Sequence, residues 1–255
     1  IVDEMVNWII NSDGDNKNLA MLIDQAGTGK TITLQDVLID LESKHIDVLA
    51  IKADQQLSGI TNLSDISGRL GLPQSPEQIL SRLSQLGRVA VLIDQLDALS
   101  LSLAHDQATL DIVLDFIARL RRIPNLRVII SCRLFDRNSD PRLKHIDLAQ
   151  QFTLSLFSED EVSSILNLLK ISYRDLSKPT QILLQTPLHL NLFALALDNS
   201  GSSRERLLGV TSLQELYGAI WENIVLREDT RAPSKSDRVE VLHYLINFMA
   251  QHQQI

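Results

Sequence analysis

The sequence of 255 residues is poor in cysteine and aromatic side chains, and acidic groups outnumber basic ones. With a single cysteine, Cys132, no internal disulfide can form, which favours a reducing, cytoplasmic compartment. No apolar run approaches the roughly 20 residues that cross a bilayer, and no secretory signal is visible, so no membrane partner is expected. The 24 Lys and Arg against 32 Asp and Glu give a net charge of −8. Without a sustained basic run, nucleic-acid binding is not indicated.

Several kinds of site are also missing from the sequence. Cys132 and the histidines lack metal-ligand spacing, so no zinc site is assigned. No G-x-S-x-G elbow or Ser/His/Asp set points to a hydrolase of that type, and no N-K-x-D run points to a guanine-specific GTPase. The chain starts at Ile1 rather than at methionine, which we interpret as a fragment of a longer protein.

Apolar runs alternate with helical patterns in the first part of the chain. Strands are predicted at 19–24, 46–53, 88–94, 126–131 and 151–156, and helices at 30–43, 76–86 and 108–122. Continuous apolar strands are typical of a parallel sheet buried on both faces. The alternation therefore predicts an α/β doubly wound fold. After residue 157 the pattern is helical, and Ser158 with Glu161 predicts a capping box at the first helix.

The stretch DQAGTGKT, residues 24–31, fits the right half of the phosphate-loop pattern G-x-x-x-x-G-K-[ST]. Its glycines allow backbone N–H groups to curl around a phosphate. Lys30 would reach the β- and γ-phosphates of ATP, and Thr31 would offer its hydroxyl to Mg²⁺. The alternative is a tight strand-to-helix turn. The predicted nucleotide contacts are Gln25, Ala26, Gly27, Thr28, Gly29, Lys30, Thr31 and Ile32.

Asp24 stands where the phosphate-loop pattern has its first glycine. That position is farther from the phosphates than Gly27 or Gly29, so a side chain is sterically tolerable there. A carboxylate would nevertheless repel phosphate unless it points away or is offset by Mg²⁺. We expect a working loop despite this departure.

A second group of acidic residues follows the strand predicted at 88–94. Asp94 lies at the carboxyl end of that strand, the edge at which open α/β sheets bind ligands. It is placed to hold Mg²⁺, and Asp97 is placed to orient or deprotonate an attacking water. The alternatives are a strand-terminal helix cap for Asp94 and a plain surface carboxylate for Asp97.

A hydrophobic strand followed by D-x-x-D resembles the second nucleotide motif of the STAND class of P-loop NTPases. The closest subgroup is the NACHT-like one, which is related to AAA+ proteins and usually reads D-G-L-D-E. Here the run is DQLDA, with Gln95 in place of the glycine and Ala98 in place of the last acid. The missing acid implies slow hydrolysis, with Asp97 as the remaining candidate base.

The same resemblance implies two further site residues. Arg133 matches the sensor arginine that reads the terminal phosphate, a contact that a guanidinium makes well. A salt bridge to Asp136 or Asp94 is the alternative. Pro187 matches a proline that packs near the adenine, although by spacing alone it marks only a well-capped helix start.

The resemblance also implies a domain division and a function. Residues 1–157 would form a P-loop nucleotide-binding domain, 158–232 a helical lid, and 233–255 the start of a winged-helix-like domain. Such proteins exchange ADP for ATP, open, self-associate through the NTPase domain and link sensor to effector domains, often in immune defence. Two other functions stay open: a constitutive AAA+-type ATPase motor, and a degenerate P-loop module kept for protein contacts.

Overall fold

The computed structural model describes residues 1–12, 18–100, 107–198, 207–226 and 233–251. The chain divides into two compact units, Ile1–Leu154 and Ser155–Ile255. The predicted three-part division stays a prediction, and its boundary after residue 232 adjoins residues outside the described ranges. No described helix is long and apolar enough to span a bilayer.

The first unit is built on a five-stranded sheet with the strand order β2-β3-β4-β1-β5. All neighbouring strands run parallel. The strands are β1 (Leu19–Asp24), β2 (Asp47–Lys52), β3 (Val89–Asp94), β4 (Leu126–Arg133) and β5 (Gln150–Phe152). The predicted α/β fold with a parallel sheet is confirmed.

The three central strands are buried along nearly their whole length, whereas the two edge strands are not. Every residue of β3 is buried, while Asp47 and Ala50 on β2 are exposed. β5 pairs with β1 only as far as Leu22 opposite Phe152, so it is shorter than predicted. Beyond Phe152, the N–H of Leu154 bonds to the Asp24 side chain rather than to a main-chain carbonyl.

Helices cover both faces of the sheet. On one face, α1 and α2 pack through Met5, Ile9, Val37 and Leu41. On the other, α5 packs through Phe116 and its neighbours. The helices of this unit are α1 (Val2–Asn11), α2 (Lys30–Ser43), α3 (Ser64–Arg69), α4 (Pro76–Leu83), α5 (Gln107–Leu120), α6 (Leu134–Ser139) and α7 (Pro141–Lys144).

The second unit is helical in its described residues. Its helices are α8 (Glu159–Leu168), α9 (Lys178–Leu183), α10 (Pro187–Asp198), α11 (Leu213–Ile220) and α12 (Lys235–Gln251). The predicted capping box is present, since Ser158 N donates to Glu161 at 2.7 Å and Glu161 N donates to Ser158 Oγ at 3.3 Å. Phe193 and Leu216 are fully buried in the core of this unit.

Tyr217 and Trp221 lie on a helical segment that extends over residues 213–225. Tyr217 is 49% exposed. The α-helix ends at Ile220, and a π-helical turn follows over Trp221–Val225.

Replacing Phe116 should destabilise the first unit, because its side chain is fully buried at the centre of one core layer. We expect Phe116→Ala to lower the free energy of unfolding by about 3–5 kcal/mol. Urea denaturation followed by circular dichroism measures this. Leu86→Ala is the matched control: Leu86 is 86% exposed, and its loss should cost less than about 0.5 kcal/mol. Equal effects of the two changes would contradict the packing described here.

Candidate functional site

The loop between β1 and α2 takes the shape that its glycines permit. Gly27 and Gly29 have φ angles of 81° and 99°, in the left-handed region that other residues avoid. Gly29 is the N-cap of α2, and the hydroxyl of Thr28 closes the loop on Gln25 O at 3.0 Å. The first N–H groups of a helix have no partner within the helix, so this loop directs backbone donors to one point.

Lys30, the first residue of α2, turns its ammonium group back over the loop. Nζ donates to the carbonyl oxygen of Asp24 at 3.0 Å and to that of Gln25. Burial lowers the pKa of Lys30, and the charges of Asp97 and Asp24 oppose this effect. The ammonium group thus lies at the loop entrance, near two carboxylates.

Asp94 joins three elements at the carboxyl edge of the sheet. It ends β3 and is 7% exposed. Its Oδ2 accepts a hydrogen bond from Thr31 Oγ1 at 2.8 Å, and its Oδ1 accepts one from Ser131 Oγ at 2.5 Å. Ser131 Oγ in turn accepts the N–H of Gln95 at 2.8 Å. The phosphate-loop threonine and the second motif therefore meet directly.

Asp97 and Arg133 form an ion pair beside this network. Arg133 Nε lies 2.9 Å from Asp97 Oδ2, and the Arg133 N–H donates to Asp97 Oδ1 at 3.2 Å. The carboxylate is buried, and burial raises the pKa of Asp97 although the charge of Arg133 acts against it. The predicted alternative partners of Arg133, Asp136 and Asp94, are not the residues it pairs with.

Gln95 adopts a left-handed backbone with φ 59° and ψ 43°. The NACHT-like motif has glycine at this position, which is the residue that best tolerates such angles. With its amide nitrogen turned toward Asp54, the Gln95 side chain donates to both carboxylate oxygens at 3.0 and 3.2 Å. The turn after β3 thus combines a left-handed backbone with a side-chain contact to Asp54.

Asp24 has its carboxylate engaged by two backbone groups. Oδ1 accepts the N–H of Gln25 at 2.6 Å, and Oδ2 accepts the N–H of Leu154 at 3.0 Å. The first of these bonds lies within the loop and the second reaches the segment after β5. The Asp24 side chain, which replaces the glycine of the pattern, is therefore hydrogen-bonded to the surrounding backbone.

A cleft of about 660 Å³ opens next to the loop and the end of β4. Arg133 is the basic residue of its lining. Phe135, which also lines the cleft, is 69% exposed. The full lining consists of Gln25, Ala26, Arg133, Leu134, Phe135, Asp136, Asn138 and Ser139. The space therefore adjoins the side of the loop on which Arg133 and Asp97 lie.

The structure brings most of the predicted site residues to one edge of the sheet. Lys30, Thr31, Asp94, Asp97 and Arg133 lie at the carboxyl ends of β1, β3 and β4 or just beyond them. Their roles toward a ligand stay predictions.

Two further predicted nucleotide contacts are Ile32 and Pro187. Ile32 is 59% exposed on α2. Pro187 is the first residue of α10 in the second unit, as the sequence predicts, and its approach to an adenine stays a prediction.

Sequence reasoning missed two contributions to the site. Ser131, which donates a hydrogen bond to Asp94, was not among the predicted site residues, although a serine within the stretch VIISCR is a visible signal. Leu154 was missed entirely, because a backbone N–H carries no sequence signal.

No protein-family profile and no curated protein sequence matches this chain. Among solved structures, the FIGL-1 AAA domain in complex with ADP is 15% identical, with a TM-score of 0.51, over 90% of this chain and 83% of that one. A chain of the E. coli MS115-1 HORMA:CdnC:Trip13 complex is also 15% identical, with a TM-score of 0.46, over 82% of this chain and 74% of that one. At this identity the similarity to the FIGL-1 domain concerns the fold alone, which is that of an AAA domain.

The thiol of Cys132 should be unreactive in the folded protein. The residue is fully buried on β4, and burial raises the pKa of Cys132 from 9.0 to about 12. At mildly alkaline pH we expect a disulfide reagent to react at least about 100-fold more slowly than with the urea-unfolded chain. The stabilising contribution of the protonated thiol is present below pH 9.0 and is lost as the pH rises toward about 12.

Spectroscopic titration of the thiol in native and unfolded protein measures the ratio, and Cys132→Ser removes the signal. Rapid labelling of the native protein at the unfolded rate would show that β4 is accessible to the reagent.

Proposed function

We propose that this chain is an ATP-binding, slowly hydrolysing nucleotide switch. The observation that carries the proposal is the 2.8 Å hydrogen bond between Thr31 Oγ1 and Asp94 Oδ2. These residues are 63 positions apart in the chain, and they supply the hydroxyl and carboxylate oxygens that a magnesium–nucleotide complex requires. A tight turn without a ligand would not require these two groups to meet.

Thr31 and Asp94 would hold Mg²⁺ when ATP or ADP is bound. Both offer hard oxygen donors, which this ion prefers, and Mg²⁺ completes its shell with phosphate oxygens and water. In the described ranges no group of three or more His, Cys, Asp or Glu could hold a metal, so the proposed site relies on the nucleotide. The ion would supply neutralisation of phosphate charge.

The loop and two basic side chains would contact the phosphates. Gln25–Ile32 would surround the phosphates with backbone N–H groups, and Lys30 would exchange its carbonyl contacts for phosphate oxygens. Arg133, 46% exposed at its side chain and facing the adjacent cleft, would read the terminal phosphate. By the NACHT-like resemblance, Pro187 would lie near the adenine.

Asp97 would act on the attacking water, and its surroundings support slow turnover. Burial raises the pKa of Asp97 and so strengthens it as a proton acceptor. Both carboxylate oxygens of Asp97 nevertheless contact Arg133. In addition, Ala98 occupies the position at which the NACHT-like motif has a second acid. A carboxylate paired with a guanidinium abstracts protons slowly.

The switch cycle itself rests on the STAND, NACHT-like resemblance. Exchange of ADP for ATP would open the helical lid and let the NTPase domains self-associate in a larger cytoplasmic signalling or defence protein. A ligand shifts such an equilibrium only by its difference in affinity for the two arrangements. The γ-phosphate supplies that difference through Arg133.

The first test is to denature the purified protein and identify any released nucleotide by ion-pair chromatography. One equivalent of ADP supports the switch. An empty protein that also takes up no added Mg²⁺–ATP would overturn it in favour of a degenerate P-loop module. Fast, continuous ATP turnover would instead favour a constitutive motor.

Lys30→Ala should weaken nucleotide binding by at least about tenfold, because it removes charge-assisted contacts to the phosphates. Titration with a fluorescent ADP analogue measures the affinity. Lys44→Ala is the matched control: Lys44 is exposed, follows the other end of α2 and pairs with Asp40 one turn earlier. Wild-type affinity in Lys30→Ala would mean that the nucleotide binds elsewhere or not at all.

Asp97→Asn should keep nucleotide binding and lower ATP turnover by about 100-fold, since the amide cannot accept the proton. Steady-state phosphate release measures turnover. Arg133→Gln and the double variant distinguish two roles of Asp97, which are to accept the proton and to position Arg133. If Asp97 acted only by holding Arg133, both single variants and the double variant would share one rate. A further loss in the double variant supports the base, and unchanged turnover in Asp97→Asn excludes it.

A further inference from the structure

Asp24 lies between the phosphate loop and the end of the first unit. Its main-chain carbonyl accepts Lys30 Nζ at 3.0 Å, and its Oδ1 accepts the first N–H of the loop, that of Gln25, at 2.6 Å. Its Oδ2 accepts the N–H of Leu154 at 3.0 Å, across 130 positions of the chain. One residue thus contacts the loop backbone, the loop lysine and a distant segment.

Leu154 is the last residue of the first unit, and Ser155 begins the second. The side chain of Leu154 packs on the core layer formed with α1 and α2. The β1–β5 ladder has already ended, at Leu22 opposite Phe152. The hydrogen bond to the Asp24 carboxylate therefore holds this segment to β1 two residues beyond the end of the ladder, at the junction between the two units.

Glycine, the pattern residue at this position, has no side chain that can accept either N–H. A carboxylate that accepts backbone N–H groups makes stronger hydrogen bonds than a neutral acceptor does. The contact with Leu154 is therefore a property of this chain's departure from the phosphate-loop pattern.

We propose that Asp24 is a positioning residue that couples the phosphate loop to the junction between the two units. The proposal rests on the proposed nucleotide-binding function of the loop. A phosphate that draws Lys30 away from the Asp24 carbonyl changes the contacts of the residue that holds Leu154. ATP and ADP differ in the phosphate that Lys30 and Arg133 reach, so they bias this attachment differently.

Hydrogen–deuterium exchange at the Leu154 amide reads this contact directly. Without nucleotide, Asp24→Gly should speed exchange there at least about tenfold, because the charged acceptor is lost. With Mg²⁺–ADP or a non-hydrolysable Mg²⁺–ATP analogue, the wild type should show two different rates. Asp24→Gly should still bind both nucleotides yet show one rate with either.

Two further variants control for charge and for general destabilisation. Asp24→Asn keeps one acceptor oxygen and loses the charge, so its exchange rate should be intermediate. Asp36→Asn removes an exposed carboxylate of α2 and should leave the Leu154 rates as in the wild type. A merely structural role for Asp24 would speed exchange in Asp24→Gly but keep the nucleotide-dependent difference.

The outcomes separate this proposal from the proposed function. A nucleotide-dependent difference that survives in Asp24→Gly overturns the coupling, as does a wild type that binds both nucleotides with one exchange rate. In both cases nucleotide binding stands. A wild type that binds neither nucleotide overturns the switch and the coupling together, and the exchange rates without nucleotide still decide whether Asp24 holds Leu154.

Discussion

The hydrogen bonds made by the Asp94 carboxylate are the interaction on which the arrangement of the site depends. A buried carboxylate is costly unless hydrogen-bond donors satisfy its oxygens. Thr31 and Ser131 provide those donors from α2 and β4. The pairing fixes the start of α2, the end of β3 and the end of β4 relative to one another. The loop geometry and the position of Arg133 follow from that constraint.

The cations of the site are held by oxygens of the protein itself. Lys30 donates to the carbonyls of Asp24 and Gln25, and Arg133 pairs with Asp97. A phosphate group that binds here competes with these oxygens, so its affinity reflects a difference between two sets of contacts. On the proposed function, the site would therefore respond to the number of phosphates, because each added phosphate oxygen would displace a particular contact.

Local patterns predicted the fold, and they placed Asp94 beside the loop that follows β1. The strand of residues 19–24 and the helix of 30–43 have the predicted bounds, because an apolar run, a glycine loop and a lysine–threonine pair are local signals. The partner of Arg133 and the contacts of Asp24 are non-local. In the sequence, Asp94, Asp97 and Asp136 are equivalent ion-pair partners for Arg133. Only the folded chain at the end of β4 brings Arg133 to Asp97. The hydrogen bond from Leu154 to the Asp24 side chain, beyond the end of β5, is likewise non-local.

The edges of the sheet have a consequence for how copies of this chain can associate. An open edge strand offers unpaired main-chain groups to any other strand, and proteins discourage such pairing with charge or with short edges. β2 carries Asp47 and Lys52 at its two ends, and β5 is only three residues long, with two glutamines. Strand-to-strand aggregation is thus disfavoured at both edges. Any self-association of this chain would therefore use its helical and loop surfaces.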